Sequence, residues 1–159
     1  MTAQRKLIRH AIKSQLDAWA YFQALPMTFQ LARTHAVNSD VLPVGLIYTD
    51  KDQSSGMVDL GKGSSYPAPE DRQDLRRLQL VVIVYVGKQD DSDTEDLLDD
   101  MGEQVERGVL SDTLSGGNSL EIEFAASDSV RSANGEVIVG SLMLVFNVTY
   151  MRSVPVDGA

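Results

Sequence analysis

The stretch LQLVVIVYVG (Leu78–Gly87), running into KQDDSDTEDLLDDMGEQVERGVL (Lys88–Leu110), decides the fold. Its first part predicts a strand from Leu75 to Val86. Leu78, Leu80, Val82, Val84 and Val86 lie on one face, Gln79, Val81, Ile83 and Tyr85 form a mixed second face, and Gly87 closes it. Ser92-Asp93-Thr94-Glu95 then reads as a Ser-x-x-Glu capping box, with acids crowding the positive end of a helix dipole. That helix is expected to run to about Leu110, with Leu97, Leu98, Met101, Val105 and Val109 as its apolar stripe and its acids outward. A half-buried strand feeding an amphipathic helix calls for a sheet with helices layered on it.

Downstream, Leu120, Ile122 and Phe124 alternate into one strand. Glu136 to Met151 predicts another, with Ile138, Leu142, Leu144, Phe146, Val148 and Tyr150 on one face. Ala133-Asn134-Gly135 is the hinge between them. If both even-numbered faces look at the core, a three-residue loop pairs Ser132 with Glu136. Phe124 then sits opposite Leu144 and Ile122 opposite Phe146, with Gly135 at a left-handed bulge position.

Upstream, Ile8, Ala11, Ile12 and Leu16 predict a helix from Ala3 to Tyr21, with Thr2 as N-cap and Pro26 as its stop. Met27 to Val37 is read as a short second helix, and Val41 to Thr49 as a strand with Pro43 near its start. From Asp50 to Asp71 the composition turns to Ser, Gly, Lys, Asp and Pro, which predicts a loop of unusual length. The expectation is a single α+β domain over residues 1–151 with element order α-β-β-α-β-β. It comprises a mainly antiparallel four-stranded sheet, two helices on one face, a mobile loop at 51–71 between the first two strands, and a flexible tail at 152–159.

The chain has 159 residues and no cysteine, which excludes disulfides, Cys-based metal centres and thiol catalysis and fits a reducing compartment. No apolar run approaches a membrane span, and the basic N-terminus lacks a signal peptide's apolar core, so a cytoplasmic origin is expected. The net charge of −9 argues against general nucleic-acid binding. Its distribution is uneven. Asp90, Asp91, Asp93, Glu95, Asp96, Asp99, Asp100, Glu103 and Glu106 fall in one stretch without a base, whereas Arg5, Lys6, Arg9 and Lys13 lead the chain without an acid. Two solvated helix faces are the plain reading; head-to-tail association of an acidic with a basic face is the sharper one.

Motifs with chemistry fail on inspection. Gly56-x-x-x-x-Gly61-Lys62 has Gly63 where a P-loop needs Ser or Thr, and no helix can start in the Pro-rich stretch after it. Asp91-x-Asp93-x-Glu95 lacks a calcium loop's Gly and final Glu, having Asp96 and Gly102 there. His10 and His35 stand far apart, nothing resembles a nucleophile elbow, and Asn147-Val-Thr149 lies mid-strand. No catalytic residue, metal or cofactor is therefore expected, and the protein is read as a non-enzyme. Charge and loop position instead single out Arg72, Arg76, Arg77, Lys51 and Lys62, and opposite them Asp96, Asp99, Asp100 and Glu103, for contacts with neighbours in an assembly.

In order and pattern the chain resembles the tail terminator proteins of long-tailed bacteriophages. The resemblance rests on the N-terminal amphipathic helix (Leu7–Leu16), the Pro-containing strand LPVGLIYT (Leu42–Thr49), the long polar loop, LQLVVIVY (Leu78–Tyr85), the acidic helix after Asp-Ser-Asp, and the strand ending LVFNVTY (Leu144–Tyr150). Phe22 to Asp40 departs from that pattern as an insertion. The resemblance implies a hexameric ring that caps the tail tube, stops its polymerisation and presents a surface to the head-side connector. Viral DNA would pass through without sequence-specific binding, and the protein would reside in the virion, assembled in the host cytoplasm. A head–tail joining protein of related architecture and a non-enzymatic small-molecule-binding regulatory domain are the competing readings.

Overall fold

Residues 3–25, 27–32, 43–59, 72–88, 90–111, 117–134 and 137–153 are described by the computed structural model. Three helices, α1 (Gln4–Asp17), α2 (Ala20–Ala24) and α3 (Asp91–Val109), accompany five strands. The strands are β1 (Phe29–Gln30), β2 (Val44–Asp59), β3 (Arg72–Lys88), β4 (Glu121–Asn134) and β5 (Val137–Ser153), in one sheet of order β1-β2-β3-β5-β4. All neighbours are antiparallel except β1, which lies parallel to β2. The α+β class and the helix-covered face are as expected; among the described residues the sheet has five strands rather than four, and the helices number three rather than two.

The core follows from the alternation. Leu78, Leu80, Val82, Val84 and Val86 of β3 and Leu144, Phe146, Val148 and Tyr150 of β5 are buried together with Leu98, Met101, Val105 and Val109 of α3 and Ile8, Ile12 and Leu16 of α1. Each such side chain contributes about 1.5–3 kcal/mol on burial. Glycines set how closely the layers approach. A Cβ on Gly140 of β5 would come within 2.6 Å of Thr94 and 2.7 Å of Leu98, and one on Gly108 of α3 within 2.7 Å of Leu16. On the other face Val81 is also buried, and Ile83 and Tyr85 are half-buried.

Several boundaries differ from expectation, each for a local reason. The single helix from Ala3 to Tyr21 is broken at Trp19, whose backbone is extended and whose indole N–H donates to Gln104 Oε1 at 2.9 Å. Ala3 occupies the N-cap of α1 without a side-chain hydrogen bond, and Thr2 lies outside the described residues. Phe29 and Gln30 form β1 instead of helix, because the Phe29 ring packs over Gly45, where a Cβ would meet it at 2.3 Å. Asp90, not Ser92, caps α3: its carboxylate accepts from Ser92 N at 2.7 Å and its carbonyl from Thr94 N at 3.0 Å. Residues 51–59, expected as loop, continue β2 against β3 through two irregularities, at Lys51 (φ 21°) and between Ser54 and Gly56.

In the β4–β5 hairpin Asn134 pairs with Val137 and Ser132 with Val139, and the expected Ser132–Glu136 pair is not formed. A bulge between Phe124 and Ala126 then shifts the register, placing Phe124 opposite Phe146 and Ile122 opposite Val148. The expected core face is kept, but the bulge restores it, not the loop length. Gly135 lies outside the described residues.

Candidate assembly interface

Two charged flanks and one buried polar cluster are the features that stand out from this frame. α3 crosses β3 and β5, so its two sides face different neighbours. Toward α1 and α2 it turns Gln104, bonded to Trp19, and Asp100; burial first, and then the negative charge of Asp100, raise the Tyr21 pKa. Its opposite side, toward β4, carries Glu95, Asp99, Glu103 and Glu106. Asp96, Asp99, Asp100 and Glu103, all singled out in the sequence, are exposed. Glu103 pairs with Arg107 at 2.7 Å, and Arg131 of β4 reaches Asp91 at 3.4 Å and Glu95 at 3.3 Å. Exposed pairs of this kind each contribute little. Among the described residues no cation comes within ion-pairing distance of Asp96 or Asp99.

Between α3 and β4 runs a groove. One depression of about 260 Å³ is walled by Glu95, Asp99, Ser129 and Arg131, and a second of about 270 Å³ by Glu103, Glu106 and Phe124. They share Asp99, Ser127 and Leu142, so they form one continuous trough, mainly polar, with Leu142 common to both parts. Phe124 is 38% exposed on its rim.

The basic flank lies on the other edge of the sheet, where α1 packs over β1 and β2. Its buried residues are Ile8, Ile12 and Leu16, which leaves Arg5, Lys6, Leu7 and His10 exposed. Arg9 donates to Thr49 Oγ1 at 3.2 Å.

Of the three arginines singled out in the sequence, Arg76 and Arg77 are not brought together. Arg77 is exposed, while Arg76 turns to the helix-covered face, as strand alternation demands. The side chain of Arg72 and all of Lys62 lie outside the described residues, and Lys51 is exposed at the irregularity in β2. Arg76 is instead the centre of a cluster that sequence reasoning missed. Its Nε donates to Asp74 Oδ2 at 2.6 Å, and its Nη1 stands 3.7 Å from Asp52 Oδ1. Asp74 also accepts from Ser54 Oγ; that bond, with Arg76 and Arg152 nearby, holds its carboxyl below the usual range against the opposing effect of burial. Tyr150 Oη donates to Asp52 Oδ2 at 2.7 Å, and Arg5 of α1 approaches the same oxygen at 3.6 Å. Burial, then the Asp52 hydrogen bond, push the Tyr150 phenol up to about 12. The signal was present in the sequence: Asp74 and Arg76 continue the even-numbered core face of β3 in polar form.

Helix lengths explain why the face turns polar there. β3 spans about 56 Å at strand rise, whereas α1 and α3 span about 21 and 28 Å at helix rise. The helix layer ends near Arg5, and the sheet beyond it is faced by charges. Among the described residues no group of three His, Asp or Glu could hold a metal, and no helix is long and apolar enough to cross a membrane.

No protein-family model matches the sequence, and no curated protein matches it. Among solved structures, a chain from the virion of a native gene transfer agent particle superimposes with a TM-score of 0.58 at 13% identity, over 96% of this chain and 100% of that one. The two chains share a fold. The likeness covers nearly the full length of both chains and not one motif.

Proposed function

We propose that the protein is a structural component of a virion, of the tail terminator kind. It closes head to tail into a ring, hexameric by the resemblance, that caps the tail tube, stops its polymerisation and offers an attachment surface to the head-side connector. The observation that carries this reading is the end-to-end structural match to a chain of a virion particle. The segregated charge supports it, since a closed ring needs two different surfaces on opposite flanks of one subunit. The partners on this reading are further copies of the chain, the tube subunit and the connector. DNA passes through without sequence-specific contact, and the net charge of −9 keeps the ring from holding it. The protein works by fitting and blocking, without catalysis, in the tail or neck of the particle.

The test is light scattering across concentration and salt, with electron microscopy of tail tubes grown in the presence and absence of the protein. A hexamer forming with concentration, and tubes of uniform length bearing added density at one end, are the expected results. A strict monomer that leaves tube ends and lengths unchanged refutes the reading.

A further inference from the structure

The side of α3 that carries Asp99 and Glu103 faces β4, while the side carrying Asp100 and Gln104 faces α2 and Trp19. The trough is therefore turned away from the chain's own α1, and the basic residues of that helix cannot fill it. Its chemistry suits a long cationic side chain. The alkyl stem would lie over Leu142 and Phe124, with the charged head reaching Asp99, an exposed carboxylate with no described cation beside it. The outward face of α1 offers such a set: Lys6, Leu7 and His10 are exposed on one side of the helix, and Leu7, at 36% exposure, supplies an apolar contact. The two surfaces lie on opposite edges of the sheet, α1 over β1 and β2 and the trough at β4. Two such different surfaces, repeated from copy to copy, generate a heterologous chain of contacts, the kind that makes a ring when its rotation closes.

Resting on the ring reading, we infer that the trough between α3 and β4 is the seat for the outward face of α1 from a second copy. Charge complementarity selects that occupant. The trough side of α3 carries Glu95, Asp99, Glu103 and Glu106, of which Glu95 meets Arg131 and Glu103 meets Arg107, whereas α1 carries Arg5, Lys6, Arg9 and Lys13, of which Arg5 approaches Asp52 and Lys13 pairs with Asp17.

The experiment is a charge swap on the full chain, read by sedimentation velocity and on tube ends. One variant is Asp99→Lys/Glu103→Lys, the other Lys6→Glu/His10→Glu; all four positions are exposed, and circular dichroism checks that both fold. Each alone is expected to weaken self-association at least about tenfold, as a like-charge contact should. An equimolar mixture of the two restores it, because each opposes its swapped or native charge in the other. Self-association of either variant equal to that of the parent, or a mixture no better than its components, overturns the seat while leaving a ring intact. Trough variants that still self-associate but no longer bind tube ends would assign the trough to the tube subunit and overturn the inference likewise. A parent chain that never self-associates, in solution or on tubes, removes both the seat and the ring.

Discussion

Tyr150→Phe isolates one hydrogen bond in the charged cluster, and the structure sets its size. The hydroxyl donates to Asp52 Oδ2 at 2.7 Å, while Asp52 Oδ1 has no hydrogen-bond partner. The nearest cations, Arg5 and Arg76, stand at 3.6 and 3.7 Å, beyond direct hydrogen bonding. Removing the hydroxyl thus takes the donor from a carboxylate whose side chain is only 11% exposed, while the ring of Tyr150, 1% exposed, keeps its seat in the core. A hydrogen bond to a charged group contributes about 1.5–3 kcal/mol net, and the central expectation is about 2 kcal/mol of lost stability. For a domain of this size that lowers Tm by about 4–8 °C. Urea unfolding is the assay: the midpoint should fall with the slope unchanged. A double-mutant cycle with Asp52→Ala should return a coupling of about 1–2 kcal/mol. A loss under about 0.5 kcal/mol, with coupling near zero, would mean that water serves the hydroxyl and the arginines alone hold Asp52.

The same phenol gives an alkaline signature: of the five tyrosines one should ionise only near pH 12, and that step should vanish in Tyr150→Phe. Because the folded state favours the neutral phenol, this contribution to stability is complete below the ordinary value near 10 and is lost as pH rises toward 12; a spectrophotometric titration beside unfolding curves checks both. Asp74 acts with the opposite sign. Its lowered pKa contributes stability above the ordinary 3.8 that disappears as pH falls through the lowered value, and Asp74→Asn should flatten the urea midpoint against pH in that range. Gly140→Ala should destabilise by about 1–3 kcal/mol through overpacking, since its Cβ would strike Thr94 and Leu98 and lift α3. Fluorescence of the single tryptophan, Trp19, bonded to Gln104 on α3, reports that shift, and an unperturbed spectrum with parental stability would contradict it.

What could be read from the sequence was what burial had written into it. The alternating faces of β3 and β5 and the stripe of α3 are half-covered surfaces, so their periodicity survives as a pattern of apolar residues. β4 beyond Phe124, Ala125 to Arg131, is exposed throughout; its pairing with β5 makes it a strand, and pairing leaves no apolar period. Residues 51–59 escaped recognition for the same reason, being strand by virtue of β3 alongside. The acidic residues of α3 were placed correctly on an exposed face. The trough beside them and the Asp52–Arg76–Tyr150 cluster join residues far apart in the chain, Asp52 and Tyr150 by 98 positions, and no local spacing marks such a meeting.

The bulge at Ala125 marks where β4 leaves the core. Inward of it, Ile122 and Phe124 share their face with Val148 and Phe146; outward, residues 126–131 are exposed. A one-residue insertion or deletion in the hairpin can be absorbed there by moving or erasing the bulge, without turning the apolar face outward. Evolution can therefore alter length and sequence in the outer hairpin, which includes one wall of the trough, while the buried core of β3, β5 and α3 stays fixed, so that partner specificity can drift at little cost in stability.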